Sequence, residues 1–316
     1  IKDRARMDMA EARISQDGGF SVEFNGRFVD MRVASIPTVF GEQVVVRLLD
    51  PDATNPHLNK LGITRLDHWR RGTSRPDGIC LICGPTGSGK TTTLGATIRE
   101  INFMDRAVYS IEDPVEYRLP YTAQVNANPG VGLDFSAAIK AFMRADPDVI
   151  IVGEVRDADT ARNAIKAAET GHLVMATLHT SSILGALDRL RDIGVPFHDL
   201  RYQLRSILVQ RLVRTICTTC AGEGCKDCNN TGYGARTIVS ECAYFEDERA
   251  VRELEAGNVT WPSMMDDALA KAEAGETDLK ELKRVFGAQI EDIMPSSATM
   301  TPADSKTPLD GFLLPV

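Results

Sequence analysis

The stretch Gly84-Pro85-Thr86-Gly87-Ser88-Gly89-Lys90-Thr91 constrains this chain more than any other eight residues in it. It is the complete phosphate-binding loop pattern, and the apolar run Ile79 to Cys83 before it has the character of a buried parallel strand. Glycines let the backbone curl until successive N–H groups point at a β-phosphate. Lys90 adds a point charge, Thr91 offers its hydroxyl to Mg²⁺, and a helix opening at Thr92 directs its positive end at the same anion. Strand, loop and helix signals agree, which separates a nucleotide site from a chance glycine-rich turn. The expectation is an α/β chain that binds ATP or GTP.

At 316 residues and 43% hydrophobic content, the chain is long enough for two domains and a sizeable core. A net charge of −8 argues against a broad nucleic-acid footprint, which would present a basic face. No unbroken apolar run approaches the ~20 residues needed to span a bilayer. The chain opens at Ile1 rather than Met and shows no signal-peptide pattern, so it is expected to be a fragment lacking its natural start. Of seven cysteines, four fall between 217 and 228, which points to metal chemistry in a reducing compartment rather than a disulfide framework.

Residues 1–50 alternate like strands over Phe20 to Phe24, Phe28 to Val33 and Val44 to Leu49, with turns at Gly18-Gly19, Asn25-Gly26 and Phe40-Gly41. They predict a small antiparallel sheet with a helix before it, followed by a turn-rich linker over 51–60. From residue 61 short apolar strands alternate with helices, the pattern of a parallel α/β sheet, with strands at Ile79 to Cys83, Ala107 to Ile111, Val149 to Val152 and Leu173 to Thr177. This domain is expected to run to 245. Residues 246–295 read as helical, with a start at Trp261-Pro262 and a core stripe of Met264, Met265, Leu269 and Ala272. The Ser-, Thr- and Pro-rich tail 296–316 reads as disordered.

Ligands of open α/β sheets bind beyond the carboxyl ends of the strands, and acidic groups stand at those ends here. Glu154 closes the apolar segment Asp148 to Gly153, suited to supporting Mg²⁺, and Glu112, Asp113 and Glu116 follow another strand. Either set alone would usually be solvated surface, and it is their place after strands of a phosphate-loop domain that makes them candidates. His172 and His179 flank the strand Leu173 to Thr177 and are candidates for sensing the γ-phosphate, against the alternative of satisfied structural histidines. Cys217, Cys220, Cys225 and Cys228 form two CxxC pairs four residues apart, able to surround a structural Zn²⁺ with no position open for catalytic water. Cys80 and Cys83 share that spacing within a strand, where alternation sends them to opposite faces as small core residues.

In this order the motifs resemble the hexameric secretion ATPases that power type II secretion and type IV pilus assembly. Glu112 to Tyr117 resembles the family's aspartate box, Val152-Gly153-Glu154 its Walker B segment, and Thr170 to Thr180 its histidine box. Gln210 to Arg214 and Thr231 to Arg236, flanking the cysteines, resemble its zinc subdomain, 217–236. The resemblance covers about Met7 to Val285. It implies a RecA-like ATPase core joined to an amino-terminal PAS-like sheet domain, with a helical carboxyl-terminal part. It also implies a homohexamer at the inner face of the bacterial inner membrane. This cytoplasmic ring would touch the membrane only through an inner-membrane platform protein and would take no nucleic acid.

By the same resemblance, residues 84–91 (Gly84, Pro85, Thr86, Gly87, Ser88, Gly89, Lys90, Thr91) and Thr92 hold ATP with Mg²⁺. Glu116 acts as base with Glu112 assisting, Glu154 supports the metal, His179 senses the γ-phosphate, and Arg32 and Arg47 reach the nucleotide. Within the family such a cysteine cluster resembles that of assembly and secretion motors rather than retraction motors, and the short gap between its pairs favours a type IV, specifically IVb, pilus motor. Set against the resemblance, the sequence is expected to lack the far amino-terminal domain by which relatives dock to the platform. Two other readings remain at this stage: a DNA-translocating or conjugation-linked ATPase, and a nucleotide-gated scaffold without turnover.

Overall fold

The computed structural model describes residues 1–49, 57–101, 106–116 and 118–290. The first part of the expected linker, Tyr117 of the aspartate box, and residues 291–316, with the expected tail, lie outside the described residues. Residues 1–49 form an antiparallel meander of β1 (Gln16–Phe24), β2 (Arg27–Thr38) and β3 (Gly41–Leu49). Asn25 and Gly26 join β1 to β2 with φ of 52° and 77°, the doubly positive turn whose twist matches paired strands. Alternation turns Phe20 and Val33 onto Ala5 and Met7, a small core separate from the others. The helix expected before this sheet is not there, since residues 1–15 run through turns and bends. Asp8 accepts from the Ala10 N–H and Glu11 from the Arg13 N–H, both at 2.8 Å. Local side-chain bonds of this kind compete with helix formation.

The rest of the described chain runs α1 (Leu66–Thr73), β4 (Gly78–Cys83), α2 (Lys90–Ile101), β5 (Val108–Glu112), β6 (Thr122–Asn126), α3 (Phe135–Phe142) and β7 (Val149–Val152). It continues through α4 (Ala158–Glu169), β8 (Leu173–Leu178), α5 (Ile183–Asp192), α6 (Phe197–Leu200), β9 (Leu204–Ile216) and β10 (Tyr233–Tyr244). It closes on α7 (Glu248–Glu255), α8 (Met264–Glu273) and α9 (Leu279–Phe286). The strands form one sheet in the order β10-β9-β4-β8-β7-β5-β6. The expected parallel sheet is in fact mixed: β9 runs parallel to β4, but β10 returns antiparallel along β9. The cysteine segment is the turn of that hairpin.

Both faces of the sheet are covered, which explains the unbroken apolar runs of β4, β7 and β8. Ile79, Leu81 and Cys83 pack with α3, α4 and α5, while Cys80 and Ile82 pack with Trp69 of α1 and Leu94 and Ile98 of α2. Cys80 and Cys83 thus belong to opposite cores, as alternation requires. Met264, Met265 and Ala268 of α8 complete the first core. Ser263 caps this helix through a reciprocal capping box with Asp266. Among the described residues no helix is long and apolar enough to cross a membrane.

Candidate functional site

Because β4, β5, β7 and β8 are parallel, the residues that follow them gather along one edge of the sheet. The phosphate loop leaves β4 through Gly84, whose φ is +146° and whose added Cβ would lie 2.4 Å from the Gln210 carbonyl oxygen. Only glycine fits there. Lys90 opens α2, two residues earlier than the sequence reading, and its Nζ donates to the carbonyl oxygens of Gly84 at 2.8 Å and Pro85 at 3.2 Å. Burial lowers the Lys90 pKa, while Glu154 and Glu116 act to raise it.

His179, just past β8, has Nδ1 3.5 Å from Lys90 Nζ and Nε2 3.2 Å from a Glu154 oxygen. The ring thus lies between the lysine and the carboxylate. The other Glu154 oxygen accepts from Arg156 Nε at 2.8 Å, and Arg156 also approaches Asp113 at 3.7 Å. Burial acts to raise the Glu154 pKa, but Arg156, His179 and Lys90 prevail and lower it. Gly153 lets this strand end close on its neighbour, since a Cβ there would stand 2.9 Å from the Ile111 carbonyl oxygen.

Glu112 ends β5 almost fully buried, accepting from Ser110 Oγ at 2.8 Å and Gln124 Nε2 at 3.0 Å. Desolvation raises its pKa, with a further push from Glu116. It lines a small cavity with Thr91, Thr92 and Arg99 on the flank of α2. Glu116 is half-buried in the segment after β5, which Asn126 pins by accepting the Val115 N–H at 2.7 Å. The two histidines separate. His172 precedes β8, so it lies at the opposite end of that strand from the loop, and its Nδ1 sits 2.7 Å from the Ala167 carbonyl oxygen. Of the two, only His179 stands at the loop end of β8, beside Lys90.

Arg32 and Arg47 are direct cross-strand partners on β2 and β3, and both are exposed. Among the described residues no hydrogen bond or ion pair joins them to the loop. Other arginines do flank it. A cavity of about 510 Å³ opens beside Pro85 to Ser88 and is lined by Arg211 and Arg214 of β9, Arg236 of β10 and Arg284 of α9. The sequence reading saw no site here, because these arginines come together only when β9, β10 and α9 meet. Arg156 was likewise not singled out, although its place two residues after Glu154 was a usable signal.

At the hairpin tip the four cysteine sulfurs lie within 4.8 Å of one another, with Cys217–Cys225 at 3.9 Å and both Cys220–Cys228 and Cys225–Cys228 at 3.8 Å. Zn–S bonds of about 2.3 Å in a tetrahedron need sulfurs about 3.8 Å apart. The donor set therefore fits zinc. The Cys225 and Gly232 N–H groups point at the Cys228 sulfur, and such bonds bring its pKa down to about 6, favouring the thiolate that a metal requires.

The model of the family described as "Type II/IV secretion system protein" matches residues 1–284. The chain belongs to this family. It is 41% identical over 323 residues to the type II secretion system ATPase E of Vibrio cholerae, covering 90% of this chain and 64% of that protein. To the type II secretion system protein HxcR of Pseudomonas aeruginosa it is 41% identical over 308 residues, covering 90% of this chain and 65% of the relative. This family member thus spans less than two thirds of the length of these curated relatives. Among solved structures it is similar to the Legionella pneumophila ATPase DotB, at TM-score 0.68, 25% identity, and coverage of 86% of this chain and 77% of that one. It is also similar to the pilus retraction motor PilT with bound ADP, at TM-score 0.67, 26% identity, and coverage of 89% and 80%. The RecA-like reading of the α/β core agrees with both.

Proposed function

We propose that the chain is an ATP-hydrolysing motor of a type II secretion or type IV pilus system. The observation that carries this reading is the contact series from Lys90 through His179 to Glu154, at 3.5 and 3.2 Å, at the mouth of a complete phosphate loop. Lys90 holds loop carbonyls that a triphosphate would displace, and the N–H groups opening α2 face the same point. Magnesium, when bound, neutralises charge on the β- and γ-phosphates, with Thr91 and Glu154 as its protein partners. Glu116 orients and deprotonates the attacking water, Glu112 assists, and His179 reads the γ-phosphate. Arg32 and Arg47 close over the nucleotide from the first sheet, so that hydrolysis and relative motion of the two parts are linked. The Arg-lined cavity receives the base and ribose, since guanidinium planes stack on aromatic faces. Zinc in the cysteine tip is structural.

We place domain borders at 1–50, 61–245 and 246–295. The working form is a homohexamer at an inner-membrane platform protein, and the β2–β3 turn supports assembly: Val39 and Phe40 there are 93% and 99% exposed. The names of the similar curated proteins favour secretion as the work performed. Phosphate release measured beside nucleotide binding tests the site. Lys90→Ala is expected to lose binding by tenfold or more, whereas Glu116→Gln keeps binding and loses turnover by about a hundredfold or more. Ordinary turnover by the glutamine variant would remove Glu116 from its role.

A further inference from the structure

The phosphate loop is held from outside its own motif by one buried amide. Gln210 lies on β9, which pairs with β4 so that Val209 stands beside Cys83. That register sets Gln210 alongside the residue where the loop begins. Its side chain is fully buried. Nε2 donates to the Ser88 carbonyl oxygen at 2.7 Å, and Oε1 accepts from Thr93 Oγ1 at 2.9 Å. One residue thus grips the loop before Lys90 and the first turn of α2 after it. The chain of bonds continues inward: the Trp69 indole N–H donates to Thr97 Oγ1 at 2.9 Å, which donates to the Thr93 carbonyl oxygen at 2.8 Å. Thr93, Thr97 and Gln210 are each 0% exposed. Buried polar chains of this kind act as units and rigidify what they join.

We infer that Gln210 is a positioning residue for the nucleotide: it fixes the loop backbone in its phosphate-ready curl without touching the ligand. The inference rests on the loop being the triphosphate site proposed above. A carbonyl bonded to Gln210 keeps the Ser88–Gly89 peptide from rotating, and that peptide's N–H is one of those the phosphate needs. Glutamine suits the task because it supplies a donor and an acceptor at once. Neither a carboxylate nor an apolar side chain can answer both Ser88 and Thr93.

The test uses the full chain with Gln210→Met, which keeps length and removes both bonds, and Thr93→Val, which removes only the bond to Oε1. Binding of ATPγS with Mg²⁺ by calorimetry should weaken about tenfold in the first and about threefold in the second, the scale of losing buried hydrogen bonds. KM for ATP should rise in step while kcat stays within about twofold. The double variant should bind like Gln210→Met alone, because both changes open one network. Independently of any ligand, hydrogen exchange should quicken at amides 86–92 and not in β7 or β8. Gln210→Met with unchanged affinity and uniform exchange would make the residue ordinary core and overturn the inference. If Gln210→Met does not fold, Thr93→Val decides it by the same two readouts. Failure of the unaltered chain to bind ATPγS would instead defeat the proposed function, and the exchange measurement would still judge Gln210.

Discussion

At the residue scale, the fold uses charge in two opposite ways. Glu112 is buried with neutral partners and its pKa is raised by desolvation. Glu281, fully buried on α9, sits between two cations. Arg214 reaches it from β9 at 2.6 Å, and Arg284 reaches it from the next turn at 2.6 Å. Burial alone would raise its pKa, but Arg284 and Arg214 bring it down to about 2 from an ordinary value of 4.5. The unfolded chain therefore takes up a proton that the folded chain refuses between those values. The stability from this group is complete above about pH 5 and drains away as pH falls toward 2. A melting series over that range should show the loss, and Glu281→Gln should melt lower at pH 7 with a flatter acid limb. An acid limb of unchanged slope would mean that other carboxylates govern it.

At the element scale, the β9–β10 hairpin joins features that the sequence displays separately. Its tip carries the cysteines, its middle carries Gln210, and between them Arg211 and Arg214 line the cavity beside the loop. Tyr233 receives Arg214 over its ring at 3.9 Å and donates to Asp278, tying the ribbon to α9. Cys217→Ser with Cys220→Ser should release zinc, seen by elemental analysis, and lower the melting temperature by several degrees. Retained zinc in that variant would mean that these thiols are not its ligands. The short runs of β4, β7 and β8 were legible in the sequence because burial on both faces leaves them unbroken apolar stretches. β9 was not, since Arg205, Gln210, Arg211 and Arg214 interrupt its pattern, and each has a tertiary partner that no local rule supplies. β6 is a polar edge strand of five residues. The Lys90, Glu112, Glu116 and Glu154 positions were readable from motif order, whereas the role of Gln210 depends on strand register, which periodicity does not encode.

At the scale of the whole molecule, the first sheet and the seven-stranded sheet each have a core of their own, so under the proposed function hydrolysis at the loop would reach the first sheet only through contacts between the two. If arginines of one copy complete the site of another, specific activity must depend on concentration. Turnover per subunit should fall on dilution from micromolar to nanomolar protein and recover on concentration, in parallel with mass measured by light scattering. Constant specific activity over that range would mean that each chain works alone. The pairing of Arg32 with Arg47 across β2 and β3 has one more consequence. Like charges directly opposite on paired strands destabilise them slightly, so an anion held between these two arginines should steady the sheet. Sulfate or phosphate in an assay buffer would compete for the same pair, so the proposed nucleotide contacts of Arg32 and Arg47 are best tested in a buffer that contains neither.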